Sequence, residues 1–174
     1  MAEPLTGMLD AGNVNLACFE VNGTAFAIEI DTVREIVRRT EITPLPRAPE
    51  LIEGIVDLRG MVIPVLDLSR ALGQGPSVHG ERARILILDL EGLVLGLLVD
   101  AATDVLSIES SRLEDVPDLA SQAGYDAVRH VVRRPGEPPI MVLSLETLLE
   151  RVYRSAIPDR AARGSEADGA GGEA

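Results

Sequence analysis

The sequence has few aromatic side chains and almost no cysteine. Among 174 residues it has two Phe, two Tyr, no Trp and one cysteine, Cys18. This composition argues against stacking platforms for bases or sugars, and it predicts a core built from Val, Ile, Leu and Ala. A single cysteine cannot close an internal disulfide. Because Cys18 lies in an apolar run, we interpret it as a buried structural thiol in a reducing compartment.

Positive charge and long apolar runs are also scarce. Sixteen basic residues stand against twenty-eight acidic ones, which gives a net charge of −12. This excess of negative charge disfavours nucleic acid and anionic membranes as partners and favours protein surfaces. The N-terminus lacks a basic segment followed by an apolar one, and no stretch approaches the ~18 uninterrupted apolar residues that a spanning helix needs. We therefore expect a soluble, cytoplasmic protein with no direct membrane insertion.

The residue patterns of catalytic and ligand-binding centres are missing as well. There is no Gly-x-Ser-x-Gly elbow, and the glycines form no phosphate-binding loop followed by a helix. The two histidines, His79 and His130, fall in a predicted loop and a predicted strand, and with one cysteine they provide no ligand pair at useful spacing for a metal. We interpret His130 as a structural histidine, and we predict no catalysis, no cofactor and no metal.

Short apolar runs separated by glycine turns are what the sequence does contain. Two runs rich in Val and Ile, within residues 54–68, meet at Arg59-Gly60, and two more, within residues 16–30, meet at Asn22-Gly23. Both patterns predict β-hairpins with tight turns. Between them, residues 31–39 predict a short helix that is capped by Asp31 and places Val33, Ile36 and Val37 on one face.

The second half of the sequence repeats the first. At an offset of 69 positions Gly23 matches Gly92, Asp31 matches Asp100, Glu35 matches Asp104 and Ile36 matches Val105; Gly60 matches Gly136 at an offset of 76. Short strands with tight turns at this spacing favour two small β-barrels, each of about five strands with one or two short helices. We predict a flexible lead-in over residues 1–15, a first barrel over about 16–73, a linker near 73–77, a second barrel over about 82–153, and a disordered tail over 154–174.

The order of these motifs closely resembles the CheW family of chemotaxis coupling proteins. The resemblance spans about Leu16 to Tyr153 and rests on three stretches: Ala27-Ile28-x-Ile30-Asp31-x-Val33-x-Glu35-Ile36; Ile42-Thr43-Pro44-x-Pro46-x-Ala48-Pro49; and Gly54-Ile55-Val56-Asp57-Leu58-Arg59-Gly60, followed by Val62-Ile63-Pro64-Val65-Leu66-Asp67-Leu68. The resemblance implies a mainly β fold of two intertwined five-stranded SH3-like barrels that partly exchange segments.

The resemblance also implies a non-catalytic adaptor. Such a protein would join the regulatory domain of a CheA-type histidine kinase to the cytoplasmic tip of chemoreceptors in arrays at the inner face of the membrane. By matching position, Val33, Glu35, Ile36 and Arg59 would bind the receptor in an apolar groove with charged rims, and the kinase would use strand ends and loops of both barrels, whose residues stay unassigned.

Three positions depart from the family pattern. Asp57 stands where Asn is usual and could mute the charge of Arg59, His130 replaces a usual Gly, and Ser144 replaces a usual Asp. Two alternative functions remain open: a scaffold of a chemosensory pathway that controls pili or gene expression, and a module that senses a small molecule between the barrels.

Overall fold

The computed structural model describes residues 12–76, 78–116 and 126–156. Over residues 12–76 the chain forms five strands, one short helix and a 3₁₀ turn at Ile30–Thr32 between the second and third strands. The elements are β1 (Asn13–Val21), β2 (Thr24–Glu29), β3 (Val33–Arg38), β4 (Ile52–Leu58), β5 (Met61–Asp67) and α1 (Leu68–Ala71).

Over residues 78–116 and 126–156 the chain repeats this order with one extra strand. Its elements are β6 (Arg84–Leu90), β7 (Leu93–Val99), β8 (Ala101–Glu109), a 3₁₀ turn (Ser110–Arg112), β9 (Leu113–Asp115), β10 (Val128–Arg134), β11 (Glu137–Leu143) and α2 (Leu145–Ala156). β9 is the additional strand, and it pairs with β10.

The strands form two sheets with the same internal arrangement. The five-stranded sheet has the order β3-β6-β7-β5-β4, and the six-stranded sheet has the order β8-β1-β2-β11-β10-β9. If each strand of the five-stranded sheet is replaced by its repeat, its order becomes β8-β1-β2-β11-β10, to which β9 adds the sixth strand. Each sheet takes a hairpin from one half of the chain and its other strands from the opposite half. The prediction of a mainly β fold in two strand assemblies is confirmed.

The predicted hairpin turns are confirmed in position and conformation. Asn22 and Arg59, at the two predicted turns, have φ angles of 49° and 54°, Glu91 in the β6–β7 turn has a φ of 53°, and the glycine that follows each of them also has a positive φ. Two consecutive residues with positive φ match the right-handed twist of the flanking strands, which is why Asn-Gly and similar pairs favour this turn.

The predicted helix over residues 31–39 is wrong. The chain makes only the 3₁₀ turn and then continues as β3, whose residues alternate between half-buried and exposed. The sequence Val33-Arg34-Glu35-Ile36-Val37-Arg38 fits both a helix face and a strand alternation. Pairing with β6 decides between them, because it satisfies the backbone groups of a segment too short to be stable as an isolated helix.

Both predicted ends of the folded region differ slightly from the structure. β1 begins at Asn13, so residues 13–15 belong to a strand, while most of the predicted lead-in lies outside the described residues. α2 continues to Ala156, and the remainder of the predicted tail also lies outside them. The Ser144 hydroxyl accepts a hydrogen bond from Thr147 N at 3.3 Å, so serine caps this helix where the family pattern has Asp.

Buried side chains of the described residues form three apolar cores in and between the sheets. The largest core joins β1 and β2 of one sheet to β5, β6 and β7 of the other and contains Phe19 and Phe26, whose rings stack with centroids 6.3 Å apart. Each sheet also has a small core of its own on its other face. Strands whose two faces are both buried give the continuous apolar runs seen in the sequence.

Cys18 lies in the small core of the six-stranded sheet, as predicted. Burial raises the pKa of its thiol to about 11; nearby Arg134 lowers the pKa and Asp104 raises it, both less strongly than burial.

We expect the native thiol to react with a disulfide reagent at pH 8 about 100-fold more slowly than the urea-unfolded chain, because two pKa units separate their thiolate fractions. The folded state favours the protonated thiol, so this contribution to stability is present below pH 9 and is lost as the pH rises towards 11. Labelling followed by mass spectrometry measures the rate directly, since there is one cysteine. Equal labelling rates for the native and unfolded chains would contradict the burial of the Cys18 thiol.

Candidate protein-interaction site

Arg59 and Glu35, which are 24 residues apart in sequence, meet at the surface of the five-stranded sheet. Arg59 Nη2 lies 2.5 Å from Glu35 Oε1, and the arginine side chain is 75% exposed while the glutamate is 29% exposed. Arg59 occupies the tip of the β4–β5 hairpin, and Glu35 lies in the edge strand β3. The fold therefore brings together the two charged residues that the sequence singled out.

The turn that carries Arg59 is fixed by its own hydrogen bond. Asp57 Oδ1 accepts a hydrogen bond from Gly60 N at 2.9 Å. The same contact recurs in the β6–β7 turn, where Asp89 Oδ1 accepts from Gly92 N at 3.0 Å. Asp57 thus serves the turn, as Asp commonly does at this position, and Arg59 pairs with Glu35 instead. The repeated Asp-Leu-x-Gly pattern in the sequence was a signal for this role.

A shallow cavity of about 220 Å³ lies beside the ion pair. Its lining combines the two paired residues with Arg34 and five apolar side chains, which are Leu58, Met61, Ile63, Ile87 and Val94. Met61 is 44% exposed, so part of this apolar surface is open to solvent. Sequence reasoning missed the apolar lining. The cross-strand pairing of Leu58 with Met61 next to the turn is the signal that could have found it.

Val33 and Ile36 lie on the opposite face of β3 from Glu35. Val33 pairs with Leu88 and Ile36 with Leu86, which belong to the large core, whereas Glu35 pairs with Ile87 of the small core. A β-bulge between Val33 and Glu35 shifts the register and places Val33 and Ile36 on the same face. The predicted single groove lined by Val33 and Ile36 and rimmed by Glu35 and Arg59 is therefore wrong: Val33 is half-buried against the core, and Ile36 is 43% exposed on the far side.

The described residues of the second half do not repeat the ion pair. At the position equivalent to Glu35, Asp104 accepts a hydrogen bond from Val105 N at 2.8 Å. Arg134 occupies the place of Leu58, and its Nη1 lies 2.6 Å from Glu137 Oε2 within its own hairpin. The residue after it, Pro135, is equivalent to Arg59 and is uncharged, so it cannot form an ion pair. Among the described residues the Glu35–Arg59 type of ion pair therefore belongs to the first half, although the hairpin is common to both halves.

His130 occurs where the first half has Gly54. Its backbone pairs with Asp115 of β9 and Val142 of β11, and its Nδ1 lies 3.5 Å from Asp115 Oδ1. The β10–β11 pairing has register shifts on either side of the segment 130–132, yet the hairpin and its glycine turn are retained. His130 thus keeps the geometry of the hairpin and faces a neighbouring carboxylate.

Two further observations concern the described residues as a whole. Within residues 12–76, 78–116 and 126–156, no group of three or more His, Cys, Asp or Glu side chains could hold a metal ion. Over the same ranges, no helix has both the length and the apolar character that crossing a bilayer requires.

Comparison with known proteins gives one consistent family. The model of the CheW-like domain matches residues 15–152. The chemotaxis protein CheW of Rhizobium meliloti is 33% identical over 148 residues, which cover 85% of this chain and 95% of that protein. Protein FrzA of Myxococcus xanthus is 32% identical over 143 residues, covering 80% of this chain and 88% of that protein. Among solved structures, the scaffolding protein TtCheW of Thermoanaerobacter tengcongensis superposes with a TM-score of 0.70 at 27% identity, covering 85% of this chain and 93% of that one.

Proposed function

Since this chain belongs to the CheW-like family of chemotaxis scaffold and adaptor proteins, we propose that it couples chemoreceptors to a CheA-type histidine kinase. In this proposal one surface holds the cytoplasmic tip of a receptor and another holds the regulatory domain of the kinase. The assembly lies at the inner face of the membrane, to which the receptor recruits it.

The observation that carries the receptor contact is the Glu35–Arg59 pair beside an apolar cavity. A receptor tip is a helical bundle, and a helix can insert one apolar side chain into a shallow cavity while its polar neighbours meet charges on the rim. The cavity contributes affinity through apolar burial, and the paired charges select orientation and register. β6 and β7 are each paired with a neighbouring strand on both sides, and this pairing holds the cavity lining in place. Binding therefore requires little further ordering of these residues.

The position of β3 explains how residues on two faces can serve one partner. β3 is the outer strand of the five-stranded sheet, and its only described partner strand is β6. A partner lying along this open edge can reach Glu35 and Arg59 on one face and Ile36 on the other. We therefore retain Val33, Glu35, Ile36 and Arg59 as the proposed receptor-binding set, in which the half-buried Val33 supports the strand.

Affinity capture from the native cell tests the proposed function. We expect a tagged version of the full chain to retain both a CheA-type kinase and a chemoreceptor, because an adaptor holds both at once. In a mixture of purified kinase and receptor-containing membranes, adding the chain should raise kinase autophosphorylation. Recovery of a kinase without a receptor, or of neither, together with unchanged kinase activity in the mixture, would contradict the proposal.

A further inference from the structure

Arginines concentrate where β3 ends, although the protein as a whole is acidic. Arg38 is the last residue of β3, and Arg39 follows it. Arg38 lies directly opposite Arg84 in the β3–β6 ladder, a pairing of like charges that destabilises a sheet. Because the chain as a whole carries a net charge of −12, a local excess of positive charge at the end of β3 is unusual.

Arg84 differs from Arg38 and Arg39 in its hydrogen-bond partners. Arg84 Nη1 donates hydrogen bonds to Glu81 O at 3.2 Å and to Ala83 O at 2.9 Å, so it fixes the loop before β6. Arg38 and Arg39 are both exposed, and neither has an ion pair with any residue that the structure describes. These two guanidinium groups are therefore available to a ligand.

A cavity of about 490 Å³ opens between the end of β3 and the loop before β6. It is lined by Arg38, Arg39, His79, Gly80, Glu81 and Ala83, which we call the arginine surface. The His79 side chain is only 5% exposed, yet neither of its ring nitrogens has a hydrogen-bond partner; Nδ1 lies 3.6 Å from Asp100 Oδ1. A buried nitrogen without a partner costs free energy that an acceptor from a ligand would recover.

We propose that the arginine surface binds an acidic segment of a partner protein. Arginine pairs with carboxylates through two parallel hydrogen bonds, and a buried imidazole can add one more. The hydrogen-bond donors, which are the two guanidinium groups and the His79 ring, lie on two chain segments around a wide, open cavity, which suits several carboxylates along a peptide better than one compact anion. This surface shares no lining residue with the Glu35–Arg59 cavity, so the proposal goes beyond the receptor contact and can fail independently of it.

Binding of a fluorescein-labelled peptide of alternating Glu and Ser, measured by anisotropy in 0.15 M salt, tests this proposal. At this ionic strength charges interact over only about 8 Å, so the repulsion between the peptide and the distant acidic surface is screened. We expect the double variant Arg38→Ser, Arg39→Ser to bind the peptide at least about tenfold more weakly, because it loses two charge-assisted contacts. The matched control Arg133→Ser, Arg154→Ser removes the same charge at two sites that are 81% and 83% exposed, and it should bind as the parent does.

Three results would overturn the proposal. One is equal weakening by the two double variants, which would mean that only net charge matters. Another is displacement of the peptide by inorganic tripolyphosphate at concentrations that leave an unlabelled Glu-Ser peptide ineffective, which would assign the cavity to phosphate. A third is unchanged peptide binding together with aggregation of the Arg38→Ser, Arg39→Ser variant, which would assign the arginines to protection of the open edge of β3. Chemical-shift changes confined to residues 38–39 and 78–83 would support the proposed location.

Discussion

Replacing Gly54 with alanine is expected to lower the free energy of unfolding by about 3 kcal/mol, at the upper end of overpacking costs in a filled interior. A Cβ atom at this position would collide with the Thr43 carbonyl oxygen and lie 2.8 Å from its carbon and 2.9 Å from Ile42 Cγ2. Thr43 cannot move aside cheaply, because its N–H donates to Ile55 O at 2.9 Å and its carbonyl accepts from Ile55 N at 2.8 Å. Urea unfolding followed by far-ultraviolet circular dichroism is the suitable measurement in a chain without tryptophan.

Gly80→Ala is the matched control for this substitution. An added Cβ at Gly80 meets no atom within 4 Å, so its effect should stay within about 0.5 kcal/mol, as for other surface changes. If Gly54→Ala were as stable as the parent, residues 42–43 could not lie across β4 in the way the structure places them.

Replacing Arg59 with alanine is expected to weaken binding of a receptor signalling domain at least about tenfold, or 1.4 kcal/mol, while folding stays intact. The side chain is 75% exposed, and exposed ion pairs contribute only about 0–1 kcal/mol to stability. Its loss leaves Glu35 unpaired beside the apolar cavity, where the partner must then desolvate a carboxylate without compensation. Calorimetric titration with the receptor domain gives the affinity, and urea unfolding of the same sample gives the stability.

Arg133→Ala provides the control for Arg59→Ala. Arg133 is also exposed on a hairpin strand and pairs with a glutamate on the neighbouring strand, since its Nε lies 2.8 Å from Glu114 Oε2. Because it lies in the six-stranded sheet, away from the cavity, its removal should leave receptor affinity unchanged. Similar losses of affinity in both variants would show that the Glu35–Arg59 site has no special part in binding.

These two substitutions separate two roles of one hairpin. Gly54 lies near its base, where the backbone of Thr43 comes too close to leave room for a Cβ atom, so its substitution is expected to affect stability. Arg59 lies at the tip of the hairpin, and its substitution is expected to affect binding of a partner. The second hairpin, β10–β11, shows that neither residue is needed to form the turn, because it has His130 and Pro135 at the equivalent positions.

Much of the architecture could be predicted from local patterns. Glycine turns and alternating apolar runs located the hairpins that contain Asn22 and Arg59, because a turn with two positive φ angles restricts its own residues. Repeated spacing showed that the chain is built from two similar halves. Where two periodicities fitted equally well, as in residues 31–39, local reasoning predicted the wrong element, since only the neighbouring strand β6 distinguishes a strand from a helix there.

The hairpin strands, their turns, the duplication and the family resemblance could be predicted from the sequence alone, since these depend on residues close together in the chain or on their order. Which strands share a sheet depends on long-range packing, and this packing brings Glu35 to Arg59 across 24 residues while Val33 and Ile36 face away from them. One bulge in β3 places Val33 on the same face as Ile36, whereas Ile36 faces away from Glu35 because neighbouring residues of a strand alternate. A bulge shifts every later side chain to the opposite face, and the pairing that creates it involves a strand from the other half of the chain.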